Sequence, residues 1–224
     1  MLAVLGAGVG AVLLAVKLGG SGRDLTGGSG KRYLAIDLQG SVPEEPASDL
    51  DAFFGSPQPS LPGIIEGLER ARNDAGISAV VVKVGNLPDT GWGKIEELRA
   101  AILRTREKKP VIGFLGDVGN REYFLASACS KVYCSSSALL GVTGLATQVT
   151  FFRQTLDKIG VEAQFEGIGK YKNAPNTFTE SAFTPEHREQ MEALLDDVYS
   201  QFVEGIAKGR GRSVEPLIAS SRLT

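Results

Sequence analysis

The 224-residue sequence is short of the residues that build metal and triad chemistry. It has one histidine, His187, and two cysteines, Cys129 and Cys134. Zinc sites draw on several His and Cys ligands at once, so such a site is all but excluded. A Ser-His-Asp triad would have to take His187 as its base, and His187 sits on the first turn of a helix, where a solvated side chain is expected. A basic excess is also missing: 24 Lys and Arg stand against 26 Asp and Glu, a net charge of −2, which leaves no electrostatic footprint for nucleic acid. The two cysteines lie in SACSKVYCSSS with spacing unlike CxxC, so a thioredoxin-like motif is unsupported. A disulfide between them would depend on backbone geometry. Buried free thiols on an apolar strand are the expectation.

Long hydrophobic runs are scarce too. The exception is LAVLGAGVGAVLLAV, residues 2–16, followed by Lys17. It is shorter than the ~18–20 residues of a spanning helix and has no Lys or Arg before it, so a signal-peptide n-region is missing. Its glycines make it a poor soluble helix. GGSGRDLTGGSGKR, residues 19–32, reads as a flexible linker. An apolar segment on a flexible tether predicts a membrane anchor or signal h-region over 1–18, a linker over 19–32 and a folded domain over 33–224. A buried strand or core helix of a soluble domain is the alternative for 2–16.

In the folded part, short apolar runs at 33–40, 78–86, 111–118 and 131–136 predict strands. The β-branched run SAVVVKVGN suits a strand buried on both faces. Helical spacing predicts helices over 61–76, 92–110 and 120–130. The alternation implies an α/β fold with a parallel sheet and crossover helices. Further on, a glycine-rich turn precedes a helix expected from about Thr147 to Lys158, EAQFEGIG reads as a strand, and 184–211 as a long helix capped by Thr184 with Pro185 in its first turn. GVTGL, residues 141–145, is either a tight turn or a set of backbone N–H groups offered to a substrate chain. Ser135, Ser136 and Ser137 read as a turn. Asp117 and Glu122 could pair across a loop.

The stretch GIGKYKNAPNTF, residues 167–178, places Lys170 and Lys172 in a tight, semi-apolar loop. On the residues alone, ordinary exposed loop lysines are the simpler reading; a buried, neutral base is the other. Gly169, Tyr171, Lys172, Ala174 and Phe178 fall without a gap on the pattern G-x-Y-K-S-A-x-E-P-F, and Thr184, Arg188 and Glu189 on the M-S-x-x-x-R-E that follows it. With YFLASACSKVY (123–133) and LDKIGVEA (156–163) upstream, the chain resembles the signal peptide peptidase A (protease IV) family of membrane-anchored serine–lysine peptidases on a crotonase/ClpP-like fold. The resemblance covers roughly residues 33–212. Asn173, Asn176-Thr177 and Phe183 depart from the pattern without removing the lysine.

The resemblance implies a repeated β-β-α superhelix with a parallel sheet. It makes Lys172 the general base and Gly169, Tyr171, Asn173 and Phe178 its supporting loop, with Lys170 at a variable, solvent-facing position. The family's serine would stand at Gly116, seven residues before Tyr123, and its glycine-rich oxyanion segment near GNLPDTGWG, where paired glycines are missing. Long members carry two tandem copies, the first keeping the lysine and the second the serine; this chain resembles the first. The implied function is half of an endopeptidase acting on cleaved signal peptides and other short apolar peptides. It needs no cofactor or metal, is homo-oligomeric, and is membrane-anchored with the domain outside the cytoplasm. A non-catalytic assembly or binding copy of the same fold is the alternative. An acyl-CoA enzyme of the crotonase type is disfavoured by the missing glycine pair.

A lysine accepts a serine proton only when neutral. At its ordinary pKa of about 10.4, roughly one lysine in a few thousand is neutral at pH 7. Burial in apolar surroundings favours the neutral amine. The residues Ile168, Tyr171 and Phe178, with Pro175 as a stiffener, are expected to line such a loop.

Overall fold

Four short strands form the sheet, and three of them alternate buried with open positions. The computed structural model describes residues 32–45 and 59–214. Strand β1 is Arg32–Leu38, β2 Ile77–Val84, β3 Val111–Leu115 and β4 Lys131–Cys134. All are parallel, in the order β1-β2-β3-β4. Leu34, Ile36 and Leu38 register with Val80, Val82 and Val84, and Val80 and Val84 with Val111 and Leu115. These side chains form one buried face. The intervening positions are open or half-open: Asp37 and Lys83 pair at 3.3 Å there, and Phe114 and Tyr133 are exposed. The β-branched run of β2 is therefore buried on one face, where two were expected. Crossovers of a single hand between neighbouring parallel strands place their helices on the same side.

Those crossover helices are α1 (Leu61–Asn73), α2 (Trp92–Arg106) and α3 (Asn120–Ala126). Helix α1 starts because Ser60 Oγ accepts the Gly63 N–H at 3.3 Å and Pro62 fills the first turn. Its Leu61, Ile64, Leu68 and Ala71 are buried, as are Ile95, Leu98, Ala101 and Ile102 of α2. Helix α1 packs on α2, and α2 on α3. This is an α/β layout with a parallel four-stranded sheet, consistent with a ClpP-like fold. Val118 and Leu140 add one isolated parallel bridge.

Three further helices follow: α4 (Arg153–Lys158), α5 (Asn176–Thr179) and α6 (Pro185–Arg210). The chain divides into two compact units, one reaching to Thr143 and including Gly205–Ser213, the other holding Gly144–Glu204. The last turns of α6 thus belong to the first unit. They are held there by two arginines of α2. Arg99 is buried; its Nη1 donates to Phe124 O at 2.6 Å and Ser127 Oγ at 2.7 Å, its Nη2 donates to Gly205 O, and its Cζ lies 4.3 Å from the Phe124 ring centroid. Arg106 Nη1 donates to Gly209 O at 3.0 Å and Ala128 O at 3.1 Å. Burial pulls the Arg99 pKa downward, so these carbonyls, aimed at the guanidinium, offset lost water.

Several expectations are corrected. The helix expected from Thr147 is confined to Arg153–Lys158, and the segment 162–169 is not a strand. Cys129 is a buried free thiol but follows α3 rather than sitting on a strand, and Cys134, the last residue of β4, is exposed. Among the described residues no helix is long and apolar enough to cross a membrane. The anchor and linker expectations fall, but for Arg32, outside those residues.

Candidate active site

The lysine loop belongs to the second unit, and its shape is set by a few local bonds. Gly169 has φ +97°, a conformation open to glycine and costly for other residues. It turns the chain so that the Lys172 N–H donates to Gly169 O at 3.3 Å and the Asn173 N–H to Tyr171 O at 2.9 Å. Asn173 is the buried residue of the loop. Its Nδ2 donates to Gln190 Oε1 of α6 at 2.8 Å, and its Oδ1 accepts from Asn176 Nδ2 at 3.2 Å. Asparagine in place of the pattern's serine thus gains a second bond, locking the loop to α6 on one side and to α5 on the other. Asn176, a departure from the pattern's glutamate, is the partner that makes this possible.

Tyr171 donates its hydroxyl to Glu189 at 3.1 Å, a second tie to α6. Lys170 Nζ lies 4.5 Å from the Tyr171 ring centroid. The hydrogen bond to Tyr171 and its charge hold the Lys170 amine above its usual pKa, which suits a solvent-facing cation and not a base. Lys172 is also exposed, its Cβ and Cγ lying against the backbone of Gly167. Phe178 stacks between Phe152 and Phe165, with centroids 6.1 and 5.9 Å away. Ile168 does not line the loop; it is 98% exposed. The loop therefore presents the Lys172 amine on a fixed backbone without burying it in this chain.

Next to Lys172 an open surface groove of about 480 Å³ runs between the loop and α6, with Val149, Ala174, Thr177, His187 and Met191 also in its wall. Here the expectation of a solvated His187 fails: the residue is 6% exposed. Thr184 Oγ1 caps α6 by accepting the His187 N–H at 3.2 Å, as expected, but the ring turns inward against Phe151 and Phe183, whose centroids lie 6.0 and 4.9 Å away. Phe183 precedes the Thr184 cap and lies outside the helix, so helical spacing gave no sign of this packing.

The positions expected to carry a nucleophile sit in the first unit. Gly116 has no hydroxyl to offer, and its N–H donates to Val84 O at 3.0 Å. A side chain there would meet only Val84 O, at 4.0 Å, so packing does not exclude one. The segment 85–93 is tied down from α3. Glu122 Oε1 accepts the Leu87 N–H at 3.1 Å and its Oε2 the Gly119 N–H at 3.1 Å, while Arg121 Nη1 donates to Thr90 O at 2.8 Å. Glu122 is buried by this role and does not pair with Asp117, whose Oδ1 accepts the Leu139 N–H at 2.8 Å. The Gly141 N–H of GVTGL is spent on Val118 O at 2.8 Å. Ser135 and Ser137 bond to each other at 3.0 Å in an exposed turn.

The first unit thus holds a parallel α/β sheet with no hydroxyl at Gly116, and the second a lysine loop fixed by local bonds. Residues 104–220 match peptidase family S49. The chloroplastic serine protease SPPA of Arabidopsis thaliana is 31% identical over 81% of this chain and 26% of its own length. Protease 4 of Haemophilus influenzae is 21% identical over 71% of this chain, and protease 4 of Salmonella typhi 22% over 84%. The chain belongs to peptidase family S49, the signal peptide peptidase A family of proteases. It spans roughly a quarter to a third of the length of these relatives, 26%, 26% and 32%.

Proposed function

We propose that this chain is the lysine-bearing half of a serine–lysine endopeptidase, with Lys172 as general base and the serine nucleophile supplied by a second copy in a longer parent protein. The observation that carries the reading is the lysine loop. Gly169, Tyr171, Asn173 and Asn176 fix its backbone to α5 and α6, and of the loop's two lysines Lys172 is the one not set over an aromatic ring, beside the open groove. Gly116 and the engaged Leu87 and Gly119 amides support a nucleophile from elsewhere.

In the reaction, the neutral amine takes the serine proton as the oxygen attacks the peptide carbonyl, then returns it to the leaving amine. The amine is exposed here, so its desolvation depends on what covers the loop in the assembled parent. The substrates are short apolar peptides, cleaved signal peptides among them. Residues 1–18 anchor the parent in a membrane with this domain on the extracytoplasmic side, and the parent is a homo-oligomer. Exposure of Lys172 also supports a second reading, in which this copy only assembles with or binds other copies.

A fluorophosphonate probe, which reacts with activated serines, separates these readings. The parent should be labelled at one serine outside residues 1–224, and the isolated chain should show neither labelling nor turnover. Labelling of a serine within this chain would overturn the proposal.

A further inference from the structure

Helix α6 is held at its two ends and bare between them. Its first turn packs the buried His187 on Phe151 and Phe183. The next turn carries the lysine loop, through Asn173 Nδ2 to Gln190 Oε1 at 2.8 Å and the Tyr171 hydroxyl to Glu189 at 3.1 Å. At the far end Phe202, Val203, Ile206 and Ala207 are buried. There Arg99 Nη2 donates to Gly205 O, and Arg106 Nη1 to Gly209 O at 3.0 Å. The last carbonyls of a helix have no partner within it, and cations at that end complement the helix dipole. From Arg188 to Gln201 no residue is buried. Arg188 pairs with Glu192 at 3.7 Å and Gln201 with Asp197 at 2.9 Å, along the helix's own surface. Such pairs add little, and a helix without a packed face depends on tertiary contacts made elsewhere along it. The turn that carries the loop therefore depends on the anchored ends.

We infer that Arg99 and Arg106 are positioning residues for the Lys172 base, acting through α6. The inference rests on the peptidase reading for the role of Lys172. A guanidinium stays charged and presents its donors in a planar fork, so the two arginines of α2 fix both the place and the direction of the helix end. About four turns of helix separate Gly205 from Gln190. Helix formation is cooperative along the chain, so loosening one end loosens the bare turns and the loop they carry. A general base must lie within hydrogen-bond reach of the proton it takes, and a misplacement of about 1 Å can cost ~10²-fold in rate. A loosened loop would also spread the Lys172 amine over more positions and lessen the cover it receives when the parent assembles.

Amide hydrogen exchange on the intact chain reads the coupling without turnover. In Arg99→Met and Arg106→Met, the last turns of α6 should exchange about tenfold faster or more, the scale of one lost hydrogen bond to a charged group. The Lys172 and Asn173 amides, bonded to Gly169 O and Tyr171 O, should speed up by the same factor, and by more than the amides of β2. Loop amides that keep their rates, or that move only in step with β2, overturn the inference. Arg106 is half-buried, so its variant decides if that of the buried Arg99 does not fold. Ala193→Pro breaks α6 in its exposed middle and touches neither end. Adding Arg106→Met to it should move the loop amides no further; a further acceleration there would overturn the inference as well. In the parent, Arg106→Met should lower kcat about ten- to hundredfold with KM little changed. It should also shift the rising limb of kcat to higher pH, because a less covered amine holds its proton more tightly. A lower kcat on an unmoved limb would mark a merely structural role and contradict the inference. A Lys172→Ala parent that stayed active would refute the base assignment and leave the exchange result standing, whereas unmoved loop amides would refute the coupling alone.

Discussion

Cys129 and Cys134 show how far burial alone sets reactivity. Cys129 is 1% exposed, and burial pushes its thiol from 9.0 up to about 12, with Arg106 and Arg99 opposing weakly. Its Sγ packs where a Cβ on Gly113 would come within 3.1 Å, which accounts for a glycine in the middle of β3. Cys134 is exposed. Iodoacetamide at pH 8 should therefore label Cys134 alone in the folded chain and both thiols after denaturation; mass spectrometry of the peptides checks this. The same shift has a pH signature. A folded-state pKa raised above the unfolded value gives a contribution fully present below pH 9.0 and lost as pH climbs toward about 12. Within that window stability should fall by up to about 1.4 kcal/mol per pH unit. Denaturant unfolding at pH 8 and 10.5 should show a steeper loss for the unaltered chain than for Cys129→Ala; parallel losses would contradict the burial argument. At this scale the sequence was informative about Lys172, through the spacing of Gly169 and Tyr171, and uninformative about His187, whose burial depends on two aromatic neighbours from different segments.

Among the elements, those packed on the sheet were legible and those in the second unit were less so. Helices α1, α2 and α3 and strands β1, β2 and β3 fall close to where the apolar spacing puts them, because each buries the face that the spacing defines; β4 falls there too, with no side chain buried. The second unit breaks that link. Phe152 lies in the longer helix expected there and Phe165 in the expected strand, yet both are exposed, so the apolar residues there mark a surface and not a packed face. Helix α6 was legible at its start, through Thr184 and Pro185, and its end is fixed by close approach. A Cβ on Gly209 would collide with the carbonyl of Ser127, and one on Gly205 with the Phe124 ring. Gly209→Ala should therefore destabilise the chain by about 1–3 kcal/mol, the range of an overpacked contact, despite alanine's better helix propensity. Thermal unfolding checks it: an unchanged or higher Tm would mean that α6 is free to shift at its C-terminal end.

For the whole molecule, the division of labour between this chain and its parent is the central claim. Membership of peptidase family S49 rests on residues 104–220 and on the plant and bacterial relatives, and the lysine pattern lies inside that stretch. The fold class was readable from strand–helix alternation. The state of the site was not: apolar neighbours in the sequence suggested a buried lysine, yet Ile168 and Lys172 are both exposed. The most direct test compares kcat/KM of the parent with its Lys172→Ala and Lys170→Ala variants on one apolar peptide. Loss of a general base should lower the first by about 10²–10⁴ with the Tm unchanged, and the second should stay within about threefold, since a surface pair such as the Lys170–Tyr171 contact is worth little. A Lys172→Ala parent that retains its activity, or a Lys170→Ala parent that loses it, would contradict the account.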